Sequence, residues 1–99
     1  MKKDQINTSL WDASEHLETD EDMQMYLEAA FEDGDPALIS TVLGDIARAK
    51  GMTQIAEKTG LGRTSLYKAL SPEGHPEFAT ILKVIKALGL QLHTVTAKT

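Results

Sequence analysis

The sequence has no cysteine, which excludes a disulfide framework and thiolate chemistry. This composition fits the reducing cytoplasm, where we expect the protein to reside. No apolar run approaches the roughly 20 residues that cross a bilayer, so no membrane partner is expected. Residues 1–5 lead into no apolar stretch, so we expect no secretory signal. A length of 99 residues predicts one domain with one small core.

The groups that usually support catalysis or metal binding are also sparse. His16, His75 and His93 are widely spaced and form no His-x-x-x-His pattern, so no metal site is expected. Adjacent carboxylates occur around residues 20–22, without an acid–base partner nearby. The turn Gly60-Leu61-Gly62 is too short for a phosphate-binding loop. We therefore predict that the protein is not an enzyme and needs neither metal nor cofactor.

Charge is distributed very unevenly along the chain, whose formal net charge is −5. Residues 1–34 hold two lysines and ten acids, a net charge of −8, whereas residues 35–99 have a net charge of +3. Residues 48–71 carry five basic side chains and one acid. A basic segment of this kind favours nucleic acid, and an acidic one favours a basic protein partner. The alternative is that both are only solvated surfaces.

Apolar residues recur with helical spacing in five segments, separated by glycine- and proline-containing turns. Asp20 is the expected N-cap of the first helix and Thr53 that of the third, while Asp35 and Pro36 start the second. The expected apolar face of the fifth helix consists of Phe78, Ile81, Leu82, Ile85 and Leu88. The helices are predicted over 20–34, 35–51, 53–59, 62–70 and 78–88. Residues 1–19 are interpreted as an irregular arm, and residues 20–99 as one helical domain.

Residues 90–96 change from helical spacing to alternating and β-branched residues, which predicts a short C-terminal strand. A single strand is not stable in water, and no other segment of the chain resembles a partner strand. The expected partner is the same strand from a second copy, so the sequence predicts a homodimer.

Residues 53–71 have the spacing of a helix-turn-helix motif. Ala56 is small enough for the second helix to pass close to the first, and Gly60 can adopt the left-handed conformation that ends a helix. Ile55, Leu61 and Leu66 supply a shared apolar core. Because such motifs place their second helix in the major groove of DNA, the segment predicts double-stranded DNA as a ligand.

The second helix of this motif is the candidate DNA-reading element. A helical wheel separates its apolar side from a face that carries Arg63, Thr64, Tyr67 and Lys68 without any acid. Arg63 could bind guanine through two hydrogen bonds, and Thr64 could contact a thymine methyl group or a phosphate. Ser65 and Lys68 suit phosphates, while Tyr67 could lie along a thymine or a sugar. The alternative is an ordinary surface helix whose cations only keep the chain soluble.

Four segments resemble a family of addiction-module antidote proteins, and together they extend over about three quarters of the chain. The run Leu-Tyr-Lys-Ala-Leu-Ser-Pro-Glu-Gly at 66–74 is quite specific to that group, whereas the helix-turn-helix alone is not. The resembling segments are residues 26–39, 43–54, 66–74 and 82–90.

The resemblance implies a five-helix, lambda-repressor-like fold of the Xre type and a HigA-like antitoxin. Such proteins neutralise a basic, RNA-cleaving toxin of the RelE/HigB type and repress their own operon. In repressors of the wider class a glutamine near the start of the second helix contacts phosphate. Gln54 is not assigned this role, because its helix is shorter than in the usual pattern. Two alternatives stay open: a free-standing Xre-type regulator without a toxin, and an interaction module that has lost DNA binding.

Overall fold

The computed structural model describes residues 17–97, and this part of the chain contains five helices and no strand. The prediction of an all-α chain is therefore confirmed. Residues 1–16, most of the predicted irregular arm, lie outside the described residues. The helices are α1 (Asp20–Asp33), α2 (Pro36–Lys50), α3 (Met52–Thr59), α4 (Arg63–Ala69) and α5 (Phe78–Ala87).

The N-cap of α1 lies one residue earlier than predicted, since it is Thr19 and not Asp20. The Thr19 hydroxyl accepts a hydrogen bond from the Asp22 backbone N–H at 3.0 Å, and the Asp22 carboxylate accepts one from the Thr19 N–H at 3.2 Å. This reciprocal pair satisfies two backbone donors that the helix leaves free. Asp20 instead stands in the first turn, where its negative charge is favourable.

The predicted start of α2 is confirmed, whereas the N-cap of α3 lies two residues before the predicted one. The Asp35 carboxylate accepts a hydrogen bond from the Ala37 N–H at 3.1 Å, and Pro36 follows as the first helical residue. Thr53, the expected cap of α3, is already its second helical residue, and Gly51 takes the cap position without a side-chain hydrogen bond. Met52 is buried, so its packing in the core draws it into the helix.

The hydrophobic core joins all five helices. Helix α2 packs against both α1 and α3, and α3 also contacts α4 and α5. Leu17, just before α1, is buried in the same core. Each large aliphatic side chain that is fully buried contributes about 1.5–3 kcal/mol. The largest fully buried side chains are Leu43, Ile46, Ile55, Leu66, Leu88, Val42 and Val84.

Helix α5 begins where predicted, and only part of its predicted apolar face is buried. Ile85 and Leu88 are buried as expected, whereas Phe78 and Leu82 are 65% and 42% exposed. Val84, which was not expected on this face, is fully buried next to Ile85. The buried stripe is narrower than the apolar stripe of the sequence, because α5 meets the core along one side only.

The predicted strand over residues 90–96 is absent, since residues 90–97 adopt no regular secondary structure. A strand needs a neighbouring strand for its backbone hydrogen bonds, and no segment between residues 17 and 97 offers one. The predicted end of α5 at Gly89 is confirmed. The Leu90 N–H donates to the Ile85 carbonyl at 3.1 Å and the Gly89 N–H to that of Lys86 at 3.0 Å. These two bonds form a Schellman motif.

Gly44 in α2 allows the end of α4 to approach α2 very closely. A Cβ atom at position 44 would lie 2.4 Å from the Leu70 carbonyl oxygen and 3.4 Å from the Leu70 Cβ. The nearer atom belongs to the backbone, which cannot rotate away as a flexible side chain would. The contact between α2 and the end of α4 therefore requires glycine at this position.

Replacing Gly44 with alanine should lower the free energy of unfolding by about 1–3 kcal/mol, since the added methyl group overpacks the core. Urea denaturation followed by circular dichroism measures the change. Gly62→Ala is the matched control, because nothing lies within 4 Å of a Cβ there. A Gly44→Ala chain as stable as the Gly62→Ala chain would show that the close approach is not a constraint.

Candidate nucleic-acid interface

The segment that the sequence predicts to be a helix-turn-helix consists of α3, a three-residue turn and α4. Gly60 ends α3 in the left-handed conformation, with φ of +78°, and its N–H donates to the Ala56 carbonyl at 2.9 Å. The Thr59 hydroxyl donates to the Ile55 carbonyl at 2.8 Å and accepts from the Leu61 N–H at 3.3 Å. These bonds satisfy backbone groups that the end of α3 would otherwise leave free, and they fix the direction in which α4 leaves the turn.

Helix α4 is anchored by two leucines and exposes all five of the predicted DNA-binding residues. Leu66 is fully buried and Leu70, just after the helix, is 2% exposed. Their burial turns the opposite face of the seven-residue helix to solvent, and this face carries no acidic side chain. The exposed residues are Arg63, Thr64, Ser65, Tyr67 and Lys68.

Arg63 and Tyr67 act together at one side of α4. The Arg63 guanidinium carbon lies 5.9 Å from the centroid of the Tyr67 ring, within the range of a cation–π interaction. Both side chains line an open cavity of about 390 Å³, whose remaining wall comes from the junction of α2 and α3. The cavity combines guanidinium, phenol and amide groups, so it offers hydrogen-bond donors to an anion or to a base edge.

The structure adds Arg48, Thr53 and Gln54 to the candidate interface, and sequence reasoning had assigned none of them to it. All three line the cavity beside Arg63 and Tyr67. Arg48 stands in the last turn of α2, and its approach to α4 arises only from the packing of the helices. The signal that could have identified Arg48 is its membership of the basic segment at 48–71.

Ser65 and Lys68 lie at a different side of α4, next to the loop that follows it. They line a second open cavity, of about 500 Å³, together with Ala69, Ser71 and residues 73–76. The Ser71 hydroxyl donates to the Lys68 carbonyl at 2.9 Å, and a Cβ at Gly74 would lie 2.2 Å from the Ala69 carbonyl oxygen. The distinctive 66–74 run thus ends α4 in a tightly packed turn, which holds the loop against the helix.

A hydrogen-bonded chain connects α1 with the cavity beside Arg63. The Tyr26 hydroxyl donates to the Asp45 carboxylate at 2.8 Å, and the other oxygen of that carboxylate pairs with Arg48. Burial, followed by the hydrogen bond to Asp45, raises the pKa of Tyr26 from 10.0 to about 12. A carboxylate held from both sides restricts Arg48, one of the residues that line the cavity.

Residues 17–97 contain neither a candidate metal site nor a candidate membrane span. No three His, Asp or Glu side chains of this region come together in a way that could hold a metal ion. None of the five helices is long and apolar enough to cross a membrane.

A family model described as "Probable addiction module antidote protein" matches residues 7–96. The chain belongs to this antidote family. A protein of Haemophilus influenzae named "Uncharacterized protein" is 51% identical to it over 81 residues, which cover 82% of this chain and 84% of the relative. No solved structure matches the chain significantly. Since an antidote counteracts a toxin, membership of the family implies a toxin partner.

In this member of the antidote family, the free energy of unfolding should fall as the pH rises from about 10 to about 12. A folded-state pKa above the unfolded value means that the protonated Tyr26 stabilises the fold. That contribution is complete below the unfolded pKa and is lost as the pH passes the folded pKa. Urea denaturation at several pH values should show a smaller fall in Tyr26→Phe, whose side chain does not ionise.

The matched control for this experiment is Tyr67→Phe, since Tyr67 is exposed on α4. The Tyr67→Phe variant should lose stability at alkaline pH to the same extent as the unmodified protein. Equal decreases in Tyr26→Phe and in the unmodified protein would contradict the role assigned to the bond between Tyr26 and Asp45.

Proposed function

We propose that the protein is a HigA-like antitoxin of a type II toxin–antitoxin module. In this proposal it neutralises a basic toxin of the RelE/HigB type and represses its own operon by binding operator DNA. Its DNA-binding part is a lambda-repressor-like domain of the Xre type, in which α3 and α4 form the helix-turn-helix and α4 enters the major groove.

The main support for the proposal is the exposed polar face of α4. It occurs in a chain that belongs to an antidote family. The face bears two cations, a phenol and two hydroxyls, with no acidic side chain. Leu66 anchors the helix from the opposite side, so the polar face can project into a groove. Phosphates and base edges are hydrogen-bond acceptors that such a concentration of donors and cations can bind.

The positions of the side chains favour distinct roles. Arg63, in the first turn of α4, is placed to bind guanine O6 and N7, and Thr64 to meet a thymine methyl group or a phosphate. Tyr67 lies beside Arg63 and can pack along a sugar or a thymine. Ser65 and Lys68, on the other side, suit phosphates.

We also assign Gln54 and Arg48 to the phosphate backbone, which their sequence context alone does not support. Gln54 is the third residue of α3, and Arg48 occupies the last turn of α2. Both line the cavity that contains Arg63 and Tyr67. Backbone contacts from neighbouring helices would fix the orientation of α4 in the groove.

The toxin-binding half of the proposal rests on α1. This helix carries six acidic side chains and no basic one. Toxins that bind RNA need basic surfaces, so an acidic helix would attract such a surface and compete with the RNA for it. The separation of charge between α1 and α4 allows the two activities to occupy different elements of one small domain.

We propose that two copies bind the operator together as a homodimer. A single seven-residue helix can contact only a few base pairs, so sequence specificity requires a second reading helix. Two such helices would address half-sites about one helical turn, or roughly 34 Å, apart.

The alternative is a free-standing Xre-type regulator without a toxin partner. It would use the same face of α4, but α1 would serve only to cover the core. Membership of the antidote family favours the first reading.

Arg63→Ala should cost about 1–3 kcal/mol of operator binding and should relax specificity at one base position. Lys68→Ala should weaken binding to all sequences alike and reduce the slope of log K against log salt by about 1. Fluorescence anisotropy with operator DNA, a set of single-base variants and a salt series measures both effects. The operator footprint should show two protected half-sites.

Lys83→Ala is the control, since Lys83 is an exposed lysine on α5 and not on α4. If Arg63→Ala and Lys68→Ala bind the operator as tightly as Lys83→Ala, the assignment of α4 as the reading helix is wrong.

The other half of the proposal is tested by co-expression with the product of the neighbouring reading frame, which we expect to be a small basic protein. Expression of that neighbour alone should stop bacterial growth, and the full antidote chain should restore it and co-purify with the neighbour. Where the neighbouring frame encodes no such protein, or its product leaves growth unchanged, the free-standing regulator is the better description.

A further inference from the structure

The structure contains an apolar cleft that neither the DNA-binding face nor the core accounts for. It lies between α1 and the irregular segment 90–95 and has a volume of about 470 Å³. Its floor includes Leu27 and Ile85, which belong to the core. Phe31 and Leu90, which are half-buried, form part of its walls.

The outer wall of this cleft consists of apolar side chains on a segment that has no regular secondary structure. Leu92 is 39% exposed and Val95 is 90% exposed, although both line the cleft. Residues 90–97 form neither helix nor strand, so the segment can adjust around an inserted side chain. An exposed apolar cleft rimmed by polar groups is typical of a surface that binds another protein.

On the α1 side, the rim of the cleft is acidic, and its residues are evenly spaced along the helix. Gln24, Glu28 and Glu32 stand one turn apart on the same face and line the cleft. The Gln24 amide donates to the Glu28 carboxylate at 3.0 Å, which orients that carboxylate along the rim. No lysine or arginine lines the cleft.

We propose that this cleft is the docking site for an amphipathic, basic segment of the toxin. Apolar side chains of that segment would enter the cleft, and its lysines or arginines would pair with Glu28 and Glu32. The inference rests on the proposed antitoxin function and names the surface and the chemistry of the contact.

Charge favours this occupant over two that the chain itself could provide, namely residues 1–16 and a second copy of the chain. Residues 1–16 carry two lysines and three acids, so they would not complement the two carboxylates of the rim. A second copy placed with its own α1 against the cleft would bring together helices that each carry six acids and no base. A basic, amphipathic partner complements both the apolar cleft and its acidic rim.

Isothermal titration calorimetry with the purified neighbouring protein tests the proposal on the full chain. The double variant Glu28→Lys, Glu32→Lys should weaken binding by about tenfold or more, because it places like charges against the basic segment. Leu92→Ser should also weaken it by about tenfold, since Leu92 would lose its apolar contact.

Each variant has a matched control. Glu18→Lys, Glu77→Lys makes the same change of net charge at exposed positions outside the cleft and outside the cavities beside α4. Met25→Ser removes an exposed apolar side chain of α1 that does not line the cleft. Circular dichroism confirms that each variant folds, and operator binding should be the same in each cleft variant as in its control.

The outcomes distinguish this inference from the proposed function. If the unmodified chain binds its neighbour and the cleft variants bind as tightly as their controls, the cleft is not the docking site and the antitoxin function stands. If the unmodified chain does not bind the protein encoded by the neighbouring reading frame, both the antitoxin function and the docking site are wrong.

Two measurements on the chain alone detect the other occupants. Trp11 is the single tryptophan of the sequence, so a shift of its emission in Leu92→Ser, absent in Met25→Ser, would show that residues 1–16 fill the cleft. A lower sedimentation coefficient of Leu92→Ser alone would show that a second copy fills it. Either result would overturn the proposal, and unchanged emission and sedimentation are expected.

Discussion

The burial of Leu66 is the contact on which the candidate DNA interface depends. Helix α4 has only seven residues, and Gly62 caps it without a side-chain hydrogen bond. A helix of this length is not stable alone in water, because too few hydrogen bonds repay the ordering of its backbone. Its stability must come from tertiary packing, of which complete burial of one leucine supplies about 1.5–3 kcal/mol. The same contact sets the rotation of the helix and therefore decides which side chains face solvent.

Local chemistry made much of this arrangement predictable. Asp35 and Pro36 specify the start of α2 through a carboxylate cap and a fixed φ angle, and both act within one turn of the chain. Gly60 ends α3 in the conformation expected of glycine. The five exposed residues of α4 also followed from helical spacing, since one buried leucine determines the opposite face. These features depend on residues that are close together in the sequence, so they can be predicted from the sequence alone.

The features that could not be predicted depend on neighbours in space. The wrong cap at Thr53 reflects the burial of Met52, which only the assembled core determines. Phe78 and Leu82 continue the helical spacing of α5, yet the core does not extend far enough to cover them. Arg48 reaches the cavity of Arg63 because α2 ends beside α4, a relation that no spacing along the chain reveals.

Helix α2 is the element through which the acidic and the basic parts of the protein meet. It packs against α1, and its Asp45 accepts the Tyr26 hydroxyl from that helix. The same carboxylate pairs with Arg48, which lines the cavity of α4. Each carboxylate oxygen has its own partner, and the Arg48 cation offsets the negative charge of Asp45. The chain Tyr26–Asp45–Arg48 thus links the acidic helix to the candidate nucleic-acid interface within one small core.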